Sequence, residues 1–196
     1  ASLFRAIAPG TRVVLVGDKD QLPSVGPGAV LHDLVNCRQI PVTFLTEIYR
    51  QSGDSRIIVN AHAVNQGRMP DLRPIPTGRL ADFYWLEQDD PDTAADWLTR
   101  MVVERIPKAF GFDPMTEIQV LSPMHKGVCG IQALNSRLQE ALNPSRNGKI
   151  PELVSGGRVF RLGDRVMQTA NNYDKGVFNG EMGRISCLNQ NSFSVI

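Results

Sequence analysis

The apolar segment RVVLVG at residues 12–17 most constrains what this chain can fold into. The four side chains from Val13 to Val16 are apolar at consecutive positions, which indicates a strand that is buried on both faces, as in the centre of a parallel sheet. Such sheets occur almost only in α/β proteins, where ligands bind at the carboxyl ends of the strands. The polar residues that follow Gly17 are therefore the first candidates for a binding site.

Strand-like and helix-like patterns alternate along the chain as far as residue 144. Further strands are predicted at residues 42–45, 83–86 and 117–122, and helices at residues 29–35, 54–66, 92–102 and 128–142. This alternation is typical of α/β domains with a mainly parallel sheet. Asp92 is expected to cap the third helix. Three prolines and a glycine at residues 70–78 predict a linker between two such units.

The residues after 144 have a different pattern, in which short β-like runs are separated by turn residues. This predicts a small β module. Asn179 and Gly180 predict a two-residue hairpin turn of type I′, which requires positive φ at both positions. The last β-like run reaches Ile196 without a terminating element, so the natural protein is expected to continue.

Composition argues against several functional classes. The three cysteines are widely spaced and only three histidines are present, so neither a zinc site nor a disulfide framework is expected. No apolar run approaches the ~20 residues needed to span a bilayer, and no signal sequence precedes the first strand, which favours a cytoplasmic protein. Seven basic and four acidic residues lie within 146–184, a balance that suits either a phosphate-facing surface or an ordinary solvated one.

Two motifs at strand ends carry the most information about function. The first is GDKDQLPSVGPG at residues 17–28, and the second is LTEIYRQ at residues 45–51. They resemble motifs III and IV of superfamily 1 helicases in the form found in RecD-type and TraA-type proteins. The resemblance continues, in the family's order, through LSPMHKG at 121–127, GDRVMQT at 163–169 and NGEMG at 179–183.

The resemblance implies two RecA-like domains of the P-loop NTPase fold. Residues 1–53 would be the rear of the first domain, residues 54–150 the second domain, and residues 151–196 its continuation with the start of an SH3-like β accessory module. It further implies an ATP-dependent DNA helicase that moves 5′ to 3′ on single-stranded DNA and unwinds duplex junctions in repair or recombination. Whether the parent protein works alone, joins a recombination nuclease or is fused to a relaxase stays open.

The same resemblance assigns nucleotide-sensing roles to Gln21 and Arg50. The Gln21 amide both donates and accepts hydrogen bonds, so it can contact a γ-phosphate oxygen or the attacking water, with Asp18 as a local organiser or as a turn residue. The Arg50 guanidinium can pair with the transferred phosphate, or else it packs on Tyr49 or pairs with Glu47. The expected ATP contacts are Gly17, Asp18, Gln21, Tyr49, Arg50 and Gln51.

The phosphate-binding loop that such an enzyme needs does not occur in this sequence. No Gly-x-x-x-x-Gly-Lys-Ser/Thr segment is present, and no strand-end acid suited to Mg²⁺ accompanies the motifs. The residues that hold ATP phosphates and Mg²⁺ are therefore expected before Ala1, and the chain alone should not hydrolyse ATP. The alternative is a non-catalytic module that binds nucleic acid or a protein partner with a helicase-like fold.

Two further segments are candidate contacts to single-stranded DNA. Ser122, Pro123, His125 and Lys126 precede a predicted helix, where hydroxyl, amide and ammonium groups can meet a phosphate. Lys126 is the best phosphate ligand of this group, whereas His125 can equally be an ordinary surface or core residue. In the second segment Asn171, Asn172 and Asn179 can approach the strand and Tyr173 can stack on a base, although ordinary hairpin chemistry also explains these residues.

Overall fold

A computed structural model of the chain describes residues 2–19, 21, 28–45, 55–145, 150–189 and 192–196. The chain forms two compact units, Ala1–Leu86 and Glu87–Ile196. The domain boundaries predicted after residues 53 and 150 stay predictions.

The described residues of the first unit form three helices, α1 (Ser2–Ala6), α2 (Val30–Asn36) and α3 (Arg56–Asn65). At the start of α3 the Ser55 hydroxyl accepts a hydrogen bond from the backbone N–H of Ile58, which satisfies one of the helix's free donors. The chain leaves this helix through Gly67, whose φ of +69° suits a residue without a side chain. The predicted helices at 29–35 and 54–66, and the glycine stop of the latter, are confirmed.

The parallel sheet predicted from the apolar segments is not formed within the described part of the chain. Residues 12–17, 42–45, 83–86 and 117–122 have no strand partner, and the strand predictions at these places are therefore wrong for this structure. Val14 is 82% exposed and Val16 is 91% exposed. A strand that is buried on both faces needs neighbours on both sides, and without them its backbone groups bond to water rather than to a ladder.

The proline-rich stretch at residues 70–78 is docked on α3 and is not a free linker. The Asn60 side chain donates to the backbone oxygen of Asp71 (3.2 Å) and accepts from the Asp71 backbone N–H (2.7 Å). Arg56 donates to the backbone oxygens of Asp71 and Arg73, each at 2.9 Å. The acceptors are carbonyls of residues between the prolines, so side-chain donors on a neighbouring helix hold a proline-rich segment in place.

The second unit begins with a bent helical stretch. Helix α4 (Pro91–Arg100) continues through a π-helical turn (Met101–Arg105) into α5 (Ile106–Phe110), which ends at Gly111 with φ +77°. Asp90 is the cap of α4, and its carboxylate accepts from the Thr93 N–H at 2.9 Å. The prediction of Asp92 as the cap was wrong by two residues, because Pro91 is pre-organised for the first helical position and sets the start of the helix.

Helix α6 (Ile131–Leu142) packs against α4 and completes the helical core of this unit. The buried apolar side chains of the helical part of this unit are Ala95, Val102 and Leu134. Arg137 of α6 forms ion pairs with Asp92 (3.8 Å) and Asp96 at the exposed side of the contact. The predicted helix at 128–142 is confirmed with a later start.

In residues 150–189 and 192–196, the β module forms a two-stranded and a three-stranded antiparallel sheet. Its strands are β1 (Glu152–Ser155), β2 (Arg158–Arg161), β3 (Arg165–Met167), β4 (Met182–Leu188) and β5 (Phe193–Val195), with β4 between β3 and β5. Strands β1 and β2 are joined by Gly156 and Gly157, whose φ values of +55° and +74° give the two-residue turn that an antiparallel hairpin needs. Ile185 of β4 is the buried centre of the module, with 1% exposure.

The type I′ turn predicted at Asn179 and Gly180 was wrong in its details. Only Gly180 has positive φ (+94°), and the Glu181 N–H donates to the Phe178 carbonyl at 3.1 Å. These four residues therefore form a turn of the type II pattern, in which only the third residue needs positive φ. The turn lies at the end of a long β3–β4 loop and does not join two strands directly.

Candidate functional site

The first candidate position follows the apolar segment at residues 12–17. The Gln21 side-chain amide donates to the Asp18 carboxylate, with 3.1 Å between Nε2 and Oδ2, and both residues are exposed. The carboxylate thus binds one end of the amide, and the organiser role of Asp18 toward a nucleotide stays a prediction. The carbonyl oxygen of the same amide remains an acceptor, and the donor chemistry fits a nucleotide phosphate or its attacking water.

Gly17 permits a close approach between this segment and α2. A Cβ added at Gly17 would lie 2.7 Å from Cδ2 of Leu31, which is shorter than any normal contact. The role of Gly17 seen in the structure is thus packing, and its contact with a nucleotide stays a prediction. Tyr49, Arg50 and Gln51, the other predicted nucleotide contacts, lie outside the described residues.

The segment that carries Arg50 leads into α3, whose first turn is bound by a carboxylate that the sequence did not reveal. Asp82 accepts from the Ser55 hydroxyl (2.5 Å), from the Arg56 N–H (3.1 Å) and from the Ile57 N–H (3.5 Å). The hydrogen bond from Ser55 is the main reason that the pKa of Asp82 lies below its usual value. No spacing rule joins residues 27 positions apart, so only the fold could identify this contact.

Asp71 is a second carboxylate that sequence reasoning missed. It accepts from the Arg73 guanidinium and lies 3.2 Å from Nη2 of Arg56. These hydrogen bonds, led by the one from the Arg73 side chain, hold the pKa of Asp71 well below its usual range. The two arginines that flank this aspartate in RMPDLRP could have indicated an ion pair, but they do not indicate that Arg56 of α3 is also a partner.

The predicted phosphate-binding residues Ser122, His125 and Lys126 lie on one loop before α6. The Ser122 hydroxyl donates to the Cys129 carbonyl at 2.7 Å and accepts from the Met124 N–H at 3.3 Å. Its hydrogen bonds are thus made within the loop. Pro123, His125 and Lys126 are exposed, so their side chains are accessible to a ligand.

The amino end of α6 is occupied by carbonyl groups of this same loop. The Ile131 N–H donates to the Met124 carbonyl at 2.9 Å, and the Gln132 N–H donates to the His125 carbonyl at 3.4 Å. These are two of the donors that a phosphate at a helix end would use. The arrangement therefore favours a phosphate contact by the Lys126 ammonium over one at the amino end of the helix.

The β3–β4 loop brings together Asn171, Asn172 and Asn179. The Asn171 side-chain oxygen accepts from the Asn179 N–H at 2.9 Å, and the Asn172 side-chain oxygen accepts from the Lys175 N–H at 3.1 Å. These contacts are the hairpin chemistry that competed with the DNA-binding interpretation. They present Tyr173, which is 77% exposed and packs edge-on against Phe178 with 6.0 Å between ring centroids.

The motif at residues 163–169 forms the joint between α6 and the β module. Asp164 is 8% exposed, and its carboxylate accepts from the Gln139 amide (2.6 Å), the Asn143 amide (2.8 Å) and the Arg161 N–H (2.7 Å). A buried carboxylate is tolerated when donors surround it in this way. The motif was recognised from the sequence, but the pairing of its aspartate with α6 was not.

No group of three or more His, Cys, Asp or Glu side chains in the described ranges is arranged to hold a metal ion. Within the same ranges, no helix has the length and apolar character needed to cross a membrane.

Two known families match parts of the chain. Residues 134–196 match the family described as the ATP-dependent RecD-like DNA helicase SH3 domain, which includes all five strands of the β module. Residues 1–81 match the family described as an AAA domain, a nucleotide-binding class with α/β architecture. The order of the two matches agrees with the predicted order of an α/β region followed by an SH3-like β module.

The relatives with similar sequences carry RecD names. The chain is 37% identical over 184 residues to the ATP-dependent RecD2 DNA helicase of Deinococcus radiodurans, which covers 94% of this chain and 23% of that protein. It is 26% identical over 189 residues to the RecBCD enzyme subunit RecD of Mycolicibacterium smegmatis, with 93% of this chain and 33% of the relative covered. The RecD subunit of Mycobacterium tuberculosis H37Rv is also 26% identical, over 198 residues that cover 93% of this chain and 32% of the relative. The chain thus spans a third or less of the length of these relatives.

Proposed function

Because the chain belongs to the RecD-like family of superfamily 1 DNA helicases, we propose that it is the part of an ATP-driven motor that senses the nucleotide and grips single-stranded DNA. The observation that carries the proposal is the continuous likeness to a RecD-like helicase along 94% of the chain. Family membership extends the proposal to 5′-to-3′ translocation, to unwinding of duplex junctions in repair or recombination, and to association with other subunits of a recombination nuclease.

The nucleotide-sensing part of the proposal rests on Gln21 and Arg50. Hydrolysis of ATP bound with Mg²⁺ would supply the free energy that drives the motor. We assign no Mg²⁺ ligand to this chain. The Gln21 amide donates to Asp18 through its nitrogen, and its carbonyl oxygen has the acceptor chemistry to respond to the γ-phosphate or to the attacking water. The Arg50 guanidinium is permanently charged and planar, which suits the charge that gathers on the phosphate oxygens during transfer. Tyr49 and Gln51 flank it and would shape the same site.

The DNA-gripping part of the proposal rests on the exposed side chains of two segments. Lys126 offers a compact positive charge to a backbone phosphate, with Pro123 and His125 beside it. The β3–β4 loop offers the Tyr173 ring as a stacking surface, held by Asn171 and its bond to the Asn179 backbone. One grip is electrostatic and the other is aromatic, and neither depends on base sequence.

Replacement of Arg50 tests the nucleotide-sensing role in an intact helicase that carries this chain. Arg50→Ala should lower DNA-stimulated ATP hydrolysis by about a thousandfold, because an arginine that stabilises the transferring phosphate has at least that effect on turnover. Binding of single-stranded DNA should stay close to that of the unmodified protein. Steady-state hydrolysis and fluorescence anisotropy with a labelled oligothymidylate measure the two properties.

Arg79→Ala is the matched control, since Arg79 is an exposed arginine in the same unit with no proposed role. It should leave hydrolysis unchanged. Normal turnover in Arg50→Ala would remove this guanidinium from the site, and an equal loss in both variants would show a general effect of lost positive charge.

A further inference from the structure

Hydrogen bonds within the loop, and between the loop and α6, hold the backbone on both sides of Lys126. The Ser122 hydroxyl joins the beginning of the loop to its end through the Cys129 carbonyl, at 2.7 Å. The Gly130 N–H donates to the Gly127 carbonyl at 3.0 Å. Two carbonyls from the middle of the loop, those of Met124 and His125, then accept from the first turn of α6. The backbone on both sides of Lys126 is therefore fixed by hydrogen bonds.

Gly130 is buried at the place where the loop folds back on the helix. A Cβ added there would lie 2.5 Å from the backbone carbon and oxygen of Lys126 and 2.8 Å from its nitrogen. Gly130 has an ordinary φ of −78°, so conformational freedom is not the reason for a glycine at this position. Space is the reason, because the backbone of Lys126 occupies the volume that any side chain would need.

We propose that Gly130 and Ser122 are positioning residues that set the place of Lys126 on the DNA-binding surface. The inference rests on the proposed contact between Lys126 and a backbone phosphate. Non-bonded carbon atoms settle about 3.5 Å apart, so a methyl group at residue 130 must displace the backbone of Lys126 by about 1 Å. The contacts that fix Lys126 are backbone atoms rather than the flexible end of a side chain, and the displacement therefore moves the origin of the lysine side chain itself.

Ser122 acts on the same loop from the other side. Its hydroxyl is both donor and acceptor, so its loss would leave the Cys129 carbonyl and the Met124 N–H without this partner. The structure thus gives Ser122 a different role from the direct phosphate contact that its residue type suggested. Threonine would keep the hydroxyl, whereas alanine would not.

The test is the salt dependence of binding to a labelled oligothymidylate, measured with the full chain. Loss of one phosphate contact on a single strand lowers the slope of log affinity against log salt by about 0.7. Lys126→Ala should show this loss, and Gly130→Ala should reproduce most of it although it removes no charge. The double variant should be no weaker than Lys126→Ala, because both changes remove the same contact.

A general loss of stability would not produce this pattern. Gly157→Ala, in the β1–β2 turn, strains the backbone of the same unit and should leave the salt slope unchanged. Ser122→Ala should lower the slope and Ser122→Thr should restore it. This serine pair decides the question if Gly130→Ala does not fold, as judged by circular dichroism.

The outcomes separate the inference from the function on which it rests. An unchanged slope in Lys126→Ala would overturn the proposed phosphate contact and the inference with it. A lowered slope in Lys126→Ala, together with unchanged slopes in Gly130→Ala and Ser122→Ala, would keep the contact and overturn the positioning roles alone.

Discussion

Residues 12–17 and residues 152–161 both have strand-like sequences, but only the second segment forms a ladder. The partner of β1 is β2, which follows after two glycines, so the pairing costs little loop entropy. A parallel partner for residues 12–17 would have to lie beyond a crossover of a dozen or more residues. The difference shows that strand propensity alone does not make a strand, because a segment also needs a partner strand beside it to accept and donate its backbone hydrogen bonds.

The two units also differ in how deeply they bury the aspartates that join neighbouring segments. In the second unit Asp164 is buried and gathers three donors between a helix and a sheet. In the first unit Asp71, which is half-buried, and Asp82, which is exposed, hold their segments on α3. Burial raises the cost of losing a hydrogen-bond partner, so substitutions at the buried carboxylate should have the larger effect.

The largest effect is expected at Asp164. Asp164→Ala removes the acceptor of three hydrogen bonds. Gln139 and Asn143 keep second partners in the carbonyls of Val159 and Leu162, but the Arg161 N–H loses its carboxylate acceptor. The free energy of unfolding should fall by about 2 to 4 kcal/mol, measured by chemical denaturation of the chain.

Asp174→Ala is the control for this change, since Asp174 is an exposed aspartate in the β3–β4 loop of the same unit. It should change the unfolding free energy by less than about 0.5 kcal/mol. Equal effects of the two substitutions would show that the joint between α6 and the β module is not the source of stability that its burial indicates.

A smaller effect is expected in the turn between β1 and β2. Gly157→Ala places a side chain at φ +74° and should cost about 1 kcal/mol, because a Cβ disfavours the left-handed region. Gly156→Asn, at φ +55°, should cost less, since asparagine adopts this region more readily. Chemical denaturation distinguishes the two. Identical costs would mean that the turn is not the local determinant of this ladder.

Local features of the fold were predictable from the sequence and non-local ones were not. The start and end of α3 follow from Ser55 and Gly67, which are short-range signals that act within one or two turns. The type I′ prediction at Asn179 and Gly180 failed because the pattern specifies a tight turn without specifying which strands it joins. The two-residue turn between β1 and β2 was missed, although adjacent glycines are a known signal for it.

The candidate site divides in the same way. Sequence motifs led to Gln21, Lys126 and Tyr173, and the structure leaves each of them exposed. Gly130 and Asp82 were not identified, because one acts through the space that it leaves for another backbone and the other through a carboxylate 27 positions from its partner. Motifs therefore indicate candidate ligand contacts more readily than the residues that would position them.

The smallest and most conditional effect is expected at Asp82. Its pKa is lowered in the folded chain, chiefly by the hydrogen bond from Ser55, so the contribution to stability is present above the unfolded value of about 3.9 and is lost as the pH falls through the lower folded value. Asp82→Asn should thus reduce the hydrogen-exchange protection of the Arg56 and Ile57 amides at neutral pH and have no further effect in acid. Asp89→Asn, at an exposed aspartate outside α3 and its contacts, should change neither. A protection loss in Asp82→Asn that is the same at pH 7 and in acid would show that shape rather than charge holds this turn, and the contrast with the buried Asp164 would then rest on burial alone.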